Sequence, residues 1–150
     1  MYAYEHAFSD AEVQEWLDRQ IARYAADGFG LWALVRREDG AVIGQAGLTM
    51  QECGGKRLPE IGYLLKKAFW HQGYATEAAM ACKAYAFGVL GLDVVYSIIR
   101  DNNFPSQRVA QRNGMVPVGR TVKHYYHMDM PHILYAVRAG DTAGETAKDA

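Results

Sequence analysis

Val13, Trp16, Leu17, Ile21 and Tyr24 recur at intervals of three and four, the repeat of one helix face. Ser9 precedes them as an N-cap, with Asp10 and Glu12 in the first turn, and Gly28 and Gly30 stop the run. The pattern then changes. Leu31 to Arg37 reads as a strand, Asp39-Gly40 as a hairpin turn, and Ala41 to Met50 as the returning strand. CGGKR reads as a loop, and Pro59 to Lys66 as a third strand with Gly62 inside it. A strand glycine often marks a bulge or a close backbone approach. An Ala-rich helix is predicted from Thr76 to about Val89, followed by a buried β-branched strand, VVYSII, at Val94 to Ile99. Asn103 to Asn113 predicts a short helix closed by Gly114. Met115 to Val118, Lys123 to Asp129 and Ile133 to Arg138 predict three last strands. Residues 1–138 are expected to form a single domain, and 139–150, small and polar, a flexible tail.

Composition narrows the class. The chain has 150 residues, half of them hydrophobic, enough for one buried core. A formal net charge of -1 supplies no field for nucleic acid or an anionic membrane, so neither is expected as a partner. No apolar run approaches the roughly 20 residues of a membrane span. MYAYEHAFSD has no basic patch leading into an apolar stretch, which argues against a secretory signal. Two unmatched cysteines, Cys53 and Cys82, suit a reducing cytoplasm.

The chemistry concentrates around WHQGYATEA, Trp70 to Ala78. It follows a strand and opens a helix. A helix N-terminus offers unpaired N–H groups and the positive end of the macrodipole, which together favour phosphate. Gly73 admits an anion close to the backbone, and Ala75 keeps the surface small. On one glycine alone, a plain helix start is the commoner meaning. His124, His127 and His132 with Asp129 match no strong metal-ligand spacing, and no metal is expected. KHYYHMDMPH reads instead as a hairpin.

EIGYLL, WHQGYATEA and DNNFPSQRVAQRNGM, in this order, resemble the GNAT superfamily of acyl-CoA N-acyltransferases. The nearer likeness is to the branch that acetylates ribosomal-protein N-termini on alanine or serine. The likeness runs from about Ser9 to Arg138. Trp70 stands where the superfamily signature carries Gln or Arg, and Ala110 where many members carry a tyrosine acid. The usual opening strand and helix are not found before Ser9, so either the chain starts late relative to the family or the first strand is replaced, for example by a neighbouring subunit. Tyr2, Tyr4, His6 and Phe8 alternate as in a strand, which suggests a sheet-edge homodimer.

The resemblance implies an α/β (α+β) fold. It has a mixed, mostly antiparallel central sheet flanked by helices, with two strands splayed around a bulge at Gly62. It implies acetyl-CoA as cosubstrate and a primary amine as acceptor, in a ternary complex. Pantetheine would pair with strand backbone around Leu64 and Leu65. Pyrophosphate would rest on the amides of His71, Gln72, Gly73, Tyr74, Ala75 and Thr76. Asn103 and Ser106 would face the pantetheine arm and sulfur, with Ser106 stabilising the leaving thiolate. Asn103 also suits a helix N-cap.

The attacking amine must be neutral. At pH 7 deprotonation costs a lysine about 4.6 kcal/mol and an α-amine about 1.1 kcal/mol. Glu60, two residues before Gly62, is the candidate base, directly or through water, and a solvated strand-end acid is its equal alternative. The oxyanion donor is expected to be a backbone N–H beside the bulge. The first helix and the Arg120 to Pro131 region are expected to build the acceptor pocket, with Tyr96, Tyr125 and Tyr126 as lining residues. A CoA-binding regulatory module without turnover is the alternative function, and a mononucleotide site a weaker third.

Overall fold

The computed structural model describes residues 6–125 and 128–141. Helix α1 spans Asp10–Asp27 and starts in a capping box, in which Ser9 and Glu12 bond each other's backbone N–H groups. Gly28, at φ 78°, closes it in the left-handed conformation. Strands β1 (Leu31–Val35) and β2 (Val42–Cys53) form a hairpin around Asp39-Gly40. Strand β3 (Lys56–Leu65) returns through Gly54-Gly55, both at positive φ. CGGKR is therefore a tight hairpin and not an open loop. Glycine is what permits two successive positive φ values there. A 3-10 helix (Lys67–Phe69) leads into α2 (Tyr74–Gly88), then β4 (Val94–Arg100) and α3 (Phe104–Arg112). Strands β5 (Val116–Tyr125) and β6 (Met128–Arg138) complete the order. The three strands expected after Gly114 are thus two long ones, paired from Tyr125↔Met128 to Val116↔Ala136.

The six strands lie in the order β1-β2-β3-β4-β6-β5. Every neighbouring pair is antiparallel except β3 and β4. The expected mixed, mostly antiparallel sheet is present. One face carries the core, where Leu48, Ile61, Val95 and Val137 are fully enclosed. Ala79, Ala86 and Ala110 let α2 and α3 settle close onto it. Tyr85 and Phe87 pack at its rim, with Tyr85 edge-on to Trp32 at 5.1 Å.

Helix α1 lies over the opposite face with an unusual orientation. Its buried residue is Gln20, flanked inward by Trp16, Arg23 and Asp27. Val13, Leu17 and Ile21 remain 49%, 44% and 58% exposed. Of the apolar repeat that predicts the helix, Val13, Leu17 and Ile21 therefore form an outer stripe, while Trp16 turns inward. The inner side is polar because it roofs a polar cleft.

Strand β1 is one edge of the sheet. His6 to Phe8 form no strand, and His6 bonds the Glu12 carboxylate at 2.9 Å. The rest of the expected N-terminal strand, with Tyr2 and Tyr4, falls outside the described residues. At the other end the Ala139 N–H still bonds Asp93 C=O, and 142–150 lie outside the description.

Candidate active site

Strand β3 pairs with β2 along its whole length, from Gly44↔Leu65 to Cys53↔Lys56, without a register shift. It meets β4 at one rung, Glu60↔Tyr96. The expected splay exists, but the expected bulge at Gly62 does not. Gly62 sits opposite Gly47 in regular register. Side chains force the strands apart instead. A regular parallel ladder would next join the Ile61 C=O to the Ile98 N–H. Here the Ile98 N–H donates to Glu60 Oε2 at 2.6 Å, and the Ile61 C=O accepts from the Ser97 hydroxyl at 2.9 Å. Both groups are satisfied, and beyond them the strands separate.

Alternation decides which backbone groups face the opening. The Lys66 N–H bonds the Ile43 C=O, so even-numbered groups of β3 turn toward β2. Tyr63 and Leu65 turn toward β4. Of the two residues expected to pair with pantetheine, Leu65 fits. Leu64 does not, because its backbone pairs with Gln45. The Leu65 C=O already accepts from Trp70 Nε1 at 2.9 Å, which leaves the Tyr63 groups and the Leu65 N–H. Trp70 thereby ties the turn to the end of β3, a structural task for a residue that departs from the signature.

The turn ends at Gly73, the N-cap of α2, at φ 83°. No side chain caps this helix. The first closed turn is Glu77 N–H to Gly73 C=O at 3.1 Å, so the amides of Tyr74, Ala75 and Thr76 have no helical acceptor. A Cβ on Gly73 would meet nothing within 4 Å, so the space in front of these amides is open. His71 also has a positive φ, 62°. Uncapped donors, the helix dipole and open space together fit a pyrophosphate. His71, Gln72 and Gly73 are exposed, and Tyr74, Ala75 and Thr76 half-buried. The six expected cradle residues thus form one rim.

Glu60 stands at the fork of β3 and β4 and opens onto a cleft of about 330 Å³ beneath α1. The cleft is lined by Trp16, Arg19, Gln20 and Arg23 of α1, and by Gln45, Thr49 and Gln51 of β2. Gly62 and Leu64 extend the β3 wall. A Cβ on Gly62 would meet nothing within 4 Å, so glycine keeps the wall beside Glu60 low. Burial pushes the Glu60 carboxyl up to about 7. The Ile98 N–H, Lys123 and Arg23 oppose that rise. Glu60 is half-buried and accepts from the Ile98 N–H, so it is not a freely solvated strand-end acid.

Across the opening, Asn103 caps α3 by accepting from the Ser106 N–H at 3.3 Å. The N-cap role is thus realised. Ser106 is half-buried, and its C=O accepts from the Tyr63 hydroxyl at 2.8 Å. Tyr63, missed by the sequence reading, spans the opening from β3 to the first turn of α3. Burial raises its hydroxyl well above the ordinary tyrosine range. A phenol on the core face of a strand must find an acceptor, and that was the available signal. Ala110 is buried in the core, so no hydroxyl group replaces the tyrosine there.

The expected tyrosines contribute little to the cleft. Tyr96 pairs with Glu60 and is half-buried, but it does not line the cavity. The Tyr125 side chain and Tyr126 lie outside the described residues. The region from Arg120 to Pro131 contributes no described residue to the cleft, because β5 is the far edge strand. His124 bonds Asp129 at 3.1 Å, and His132 Nδ1 bonds the Met130 C=O. Among the described residues no group of three or more His, Cys, Asp or Glu could hold a metal ion.

The mostly antiparallel six-stranded sheet with its fork and uncapped helix start is the fold of an acyltransferase. The acetyltransferase (GNAT) domain model matches residues 1–116, and the chain belongs to that family. It is 32% identical over 104 residues to the uncharacterized protein YkkB of Bacillus subtilis (strain 168), covering 69% of this chain and 60% of that protein. The chain thus spans less than two thirds of the length of that curated relative. A structure from Bordetella pertussis described as a GnaT-family acetyltransferase shares the fold, with a TM-score of 0.79, 23% identity, and coverage of 92% of this chain and 82% of that one. The ribosomal-protein-S5-alanine acetyltransferase of Vibrio fischeri shares it at a TM-score of 0.72 and 19% identity, over 90% and 78% of the two chains.

Proposed function

We propose that the protein moves an acetyl group from acetyl-CoA to a primary amine by direct attack in a ternary complex. The observation that carries this reading is Glu60. Its carboxyl lies at the fork of β3 and β4, opens onto the α1 cleft, and is raised by burial to about 7. The fork and the α2 amides are the groups suited to the cosubstrate. The Tyr63 C=O and the Leu65 N–H would take the pantetheine arm, and the amides from His71 to Thr76 the pyrophosphate. Acetyl-CoA supplies the thioester carbonyl.

The chain's own residues do the rest. Glu60 accepts the amine's proton, directly or through water. The Tyr63 N–H, beside Gly62, holds the developing oxyanion, which leaves the Tyr63 C=O and the Leu65 N–H for the pantetheine arm. The Ser106 hydroxyl, which has no partner among the described residues, faces the leaving thiolate. Asn103 orients Ser106 by fixing the first turn of α3. Mixing the protein with acetyl-CoA and a panel of amines tests the reading. Free thiol should appear only when an accepted amine is present. CoA binding with no thiol release on any amine would reduce the protein to a CoA-binding module.

The reading extends to a cytoplasmic homodimer. Both cysteines are free, and no described helix is long and apolar enough to cross a membrane. The β1 edge and the exposed Val13, Leu17 and Ile21 stripe support association with a second copy. Light scattering at micromolar concentration should give twice the monomer mass, and a monomer would remove the dimer.

A further inference from the structure

The α1 roof of the cleft is basic where the sheet floor is acidic. Arg19 and Arg23 stand one helical turn apart, and both line the cleft that Glu60 opens onto. Neither has a carboxylate partner among the described residues. Arg23 Nη1 donates to Gln20 Oε1 at 3.2 Å, and Gln20 is 6% exposed, so a buried amide holds that guanidinium in place. Arg19 forms no protein hydrogen bond among the described residues. By contrast, Arg36, at the β1 hairpin, is held by Asp39. Two guanidiniums are thus left over at a cleft that reaches the fork.

The charges around this cleft are few. Among the described residues Glu60 is the only carboxylate in its lining, and Arg19 and Arg23 are its cations. Lys123 adds positive potential from β5. The balance is positive by at least one charge. A polyamine, cationic along its length, would be repelled. An acceptor with an amine at one end and a carboxylate at the other would meet a proton acceptor and a pair of guanidinium forks. The cavity, about 330 Å³, is at the low end of the roughly 300–1,000 Å³ typical of small-molecule sites. Trp16, Leu31 and Leu64 add apolar surface to the lining.

We infer that the acceptor is a small amino acid, its amine directed to Glu60 and its carboxylate held by Arg19 and Arg23. The inference rests on the proposed acetyl transfer for the role of Glu60, but the recognition it describes is separable from turnover. Arg23 and Arg19 are specificity residues in this account, and Gln20 a positioning residue for Arg23.

The test has a binding arm and a turnover arm. In the first, calorimetry measures L-leucine, L-leucinamide and spermidine against the CoA-saturated protein. L-leucine should bind at least about tenfold more tightly than L-leucinamide, and spermidine more weakly still. Arg23→Gln and Arg19→Gln should each weaken L-leucine about tenfold and leave L-leucinamide unchanged. Tenfold is about 1.4 kcal/mol, the size expected when a hydrogen bond to a charged group is lost. Equal binding of acid and amide, preference for spermidine, or no binding of L-leucine would each overturn the inference. In the second arm, thiol release reports turnover. L-leucine binding that depends on Arg23 without thiol release would uphold the recognition site and overturn the acetyl transfer. Circular dichroism of both variants confirms that the fold is kept.

Discussion

Strand β3 has two neighbours and treats them differently. With β2 it forms ten consecutive paired positions, and with β4 it forms one. The same residues serve both edges, so propensity does not explain the difference. The side chains at the fork do. Glu60 and Ser97 take the backbone groups that would have made the next rungs, and the strands part without a buried orphan. The closed edge supplies rigidity. The open edge supplies unpaired main-chain groups to a ligand. A fork built this way couples the chemistry to the architecture, because Glu60 both props the strands apart and faces the cleft.

The largest effect is expected from Glu60→Gln. The amide can still accept from Ile98, so the fork should persist while the base is lost. Turnover should fall roughly 10²–10⁴-fold, more for amines of lysine-like basicity than for α-amines, with CoA affinity nearly unchanged. The wild-type rate should rise with pH through about 7, as Glu60 loses its proton, and the variant should lack that limb. Stability should move the other way. The folded carboxyl is raised from 4.5 to about 7, so between those values the native state binds more protons than the unfolded state. Wild-type stability therefore falls as pH rises across that window, by at most about 3 kcal/mol. Above pH 7 the variant should melt higher than wild type. Melting curves at pH 5 and pH 8 decide this, and equal loss of turnover across amines would return Glu60 to a purely structural role.

Gly73→Val probes the other end of the ligand's path. Valine resists φ 83°, and its side chain would enter the open space before the α2 amides. CoA affinity should drop at least about tenfold while far-ultraviolet circular dichroism stays native. An unchanged dissociation constant would detach the α2 start from CoA binding. A smaller effect is expected from Asn103→Ala, which removes the α3 cap. It should cost about 1 kcal/mol of stability in denaturant unfolding and lower turnover only as Ser106 shifts. A stability unchanged within error would mean that the cap is idle.

Elements with strong local signals were legible in the sequence. The Ser9 cap, the Asp39-Gly40 turn and the Asn103 cap need only neighbours in the chain, and each is present. The start of α2 was legible for the same reason. What failed depends on non-local partners. The splay was expected from a bulge at Gly62, but it arises from Glu60 meeting Ile98, 38 positions away. The expectation names Leu64 and misses Tyr63, because strand phase against β2 cannot be read from one strand alone. The inward polar side of α1 was hidden by its apolar repeat, which predicts a helix but not which side the sheet will cover. Arg19 and Arg23 went unnoticed for that reason.

The central claim is that the open edge of β3 is the cosubstrate's docking edge. Residue-resolved amide hydrogen exchange, with and without saturating acetyl-CoA, tests it most directly. The Tyr63 and Leu65 amides face the opening and should slow at least about tenfold on binding, together with those of Tyr74 to Thr76. The Leu64 amide, already paired with β2, should change little. Acetyl-CoA binding shown by calorimetry with no added protection at Tyr63 and Leu65 would contradict the account.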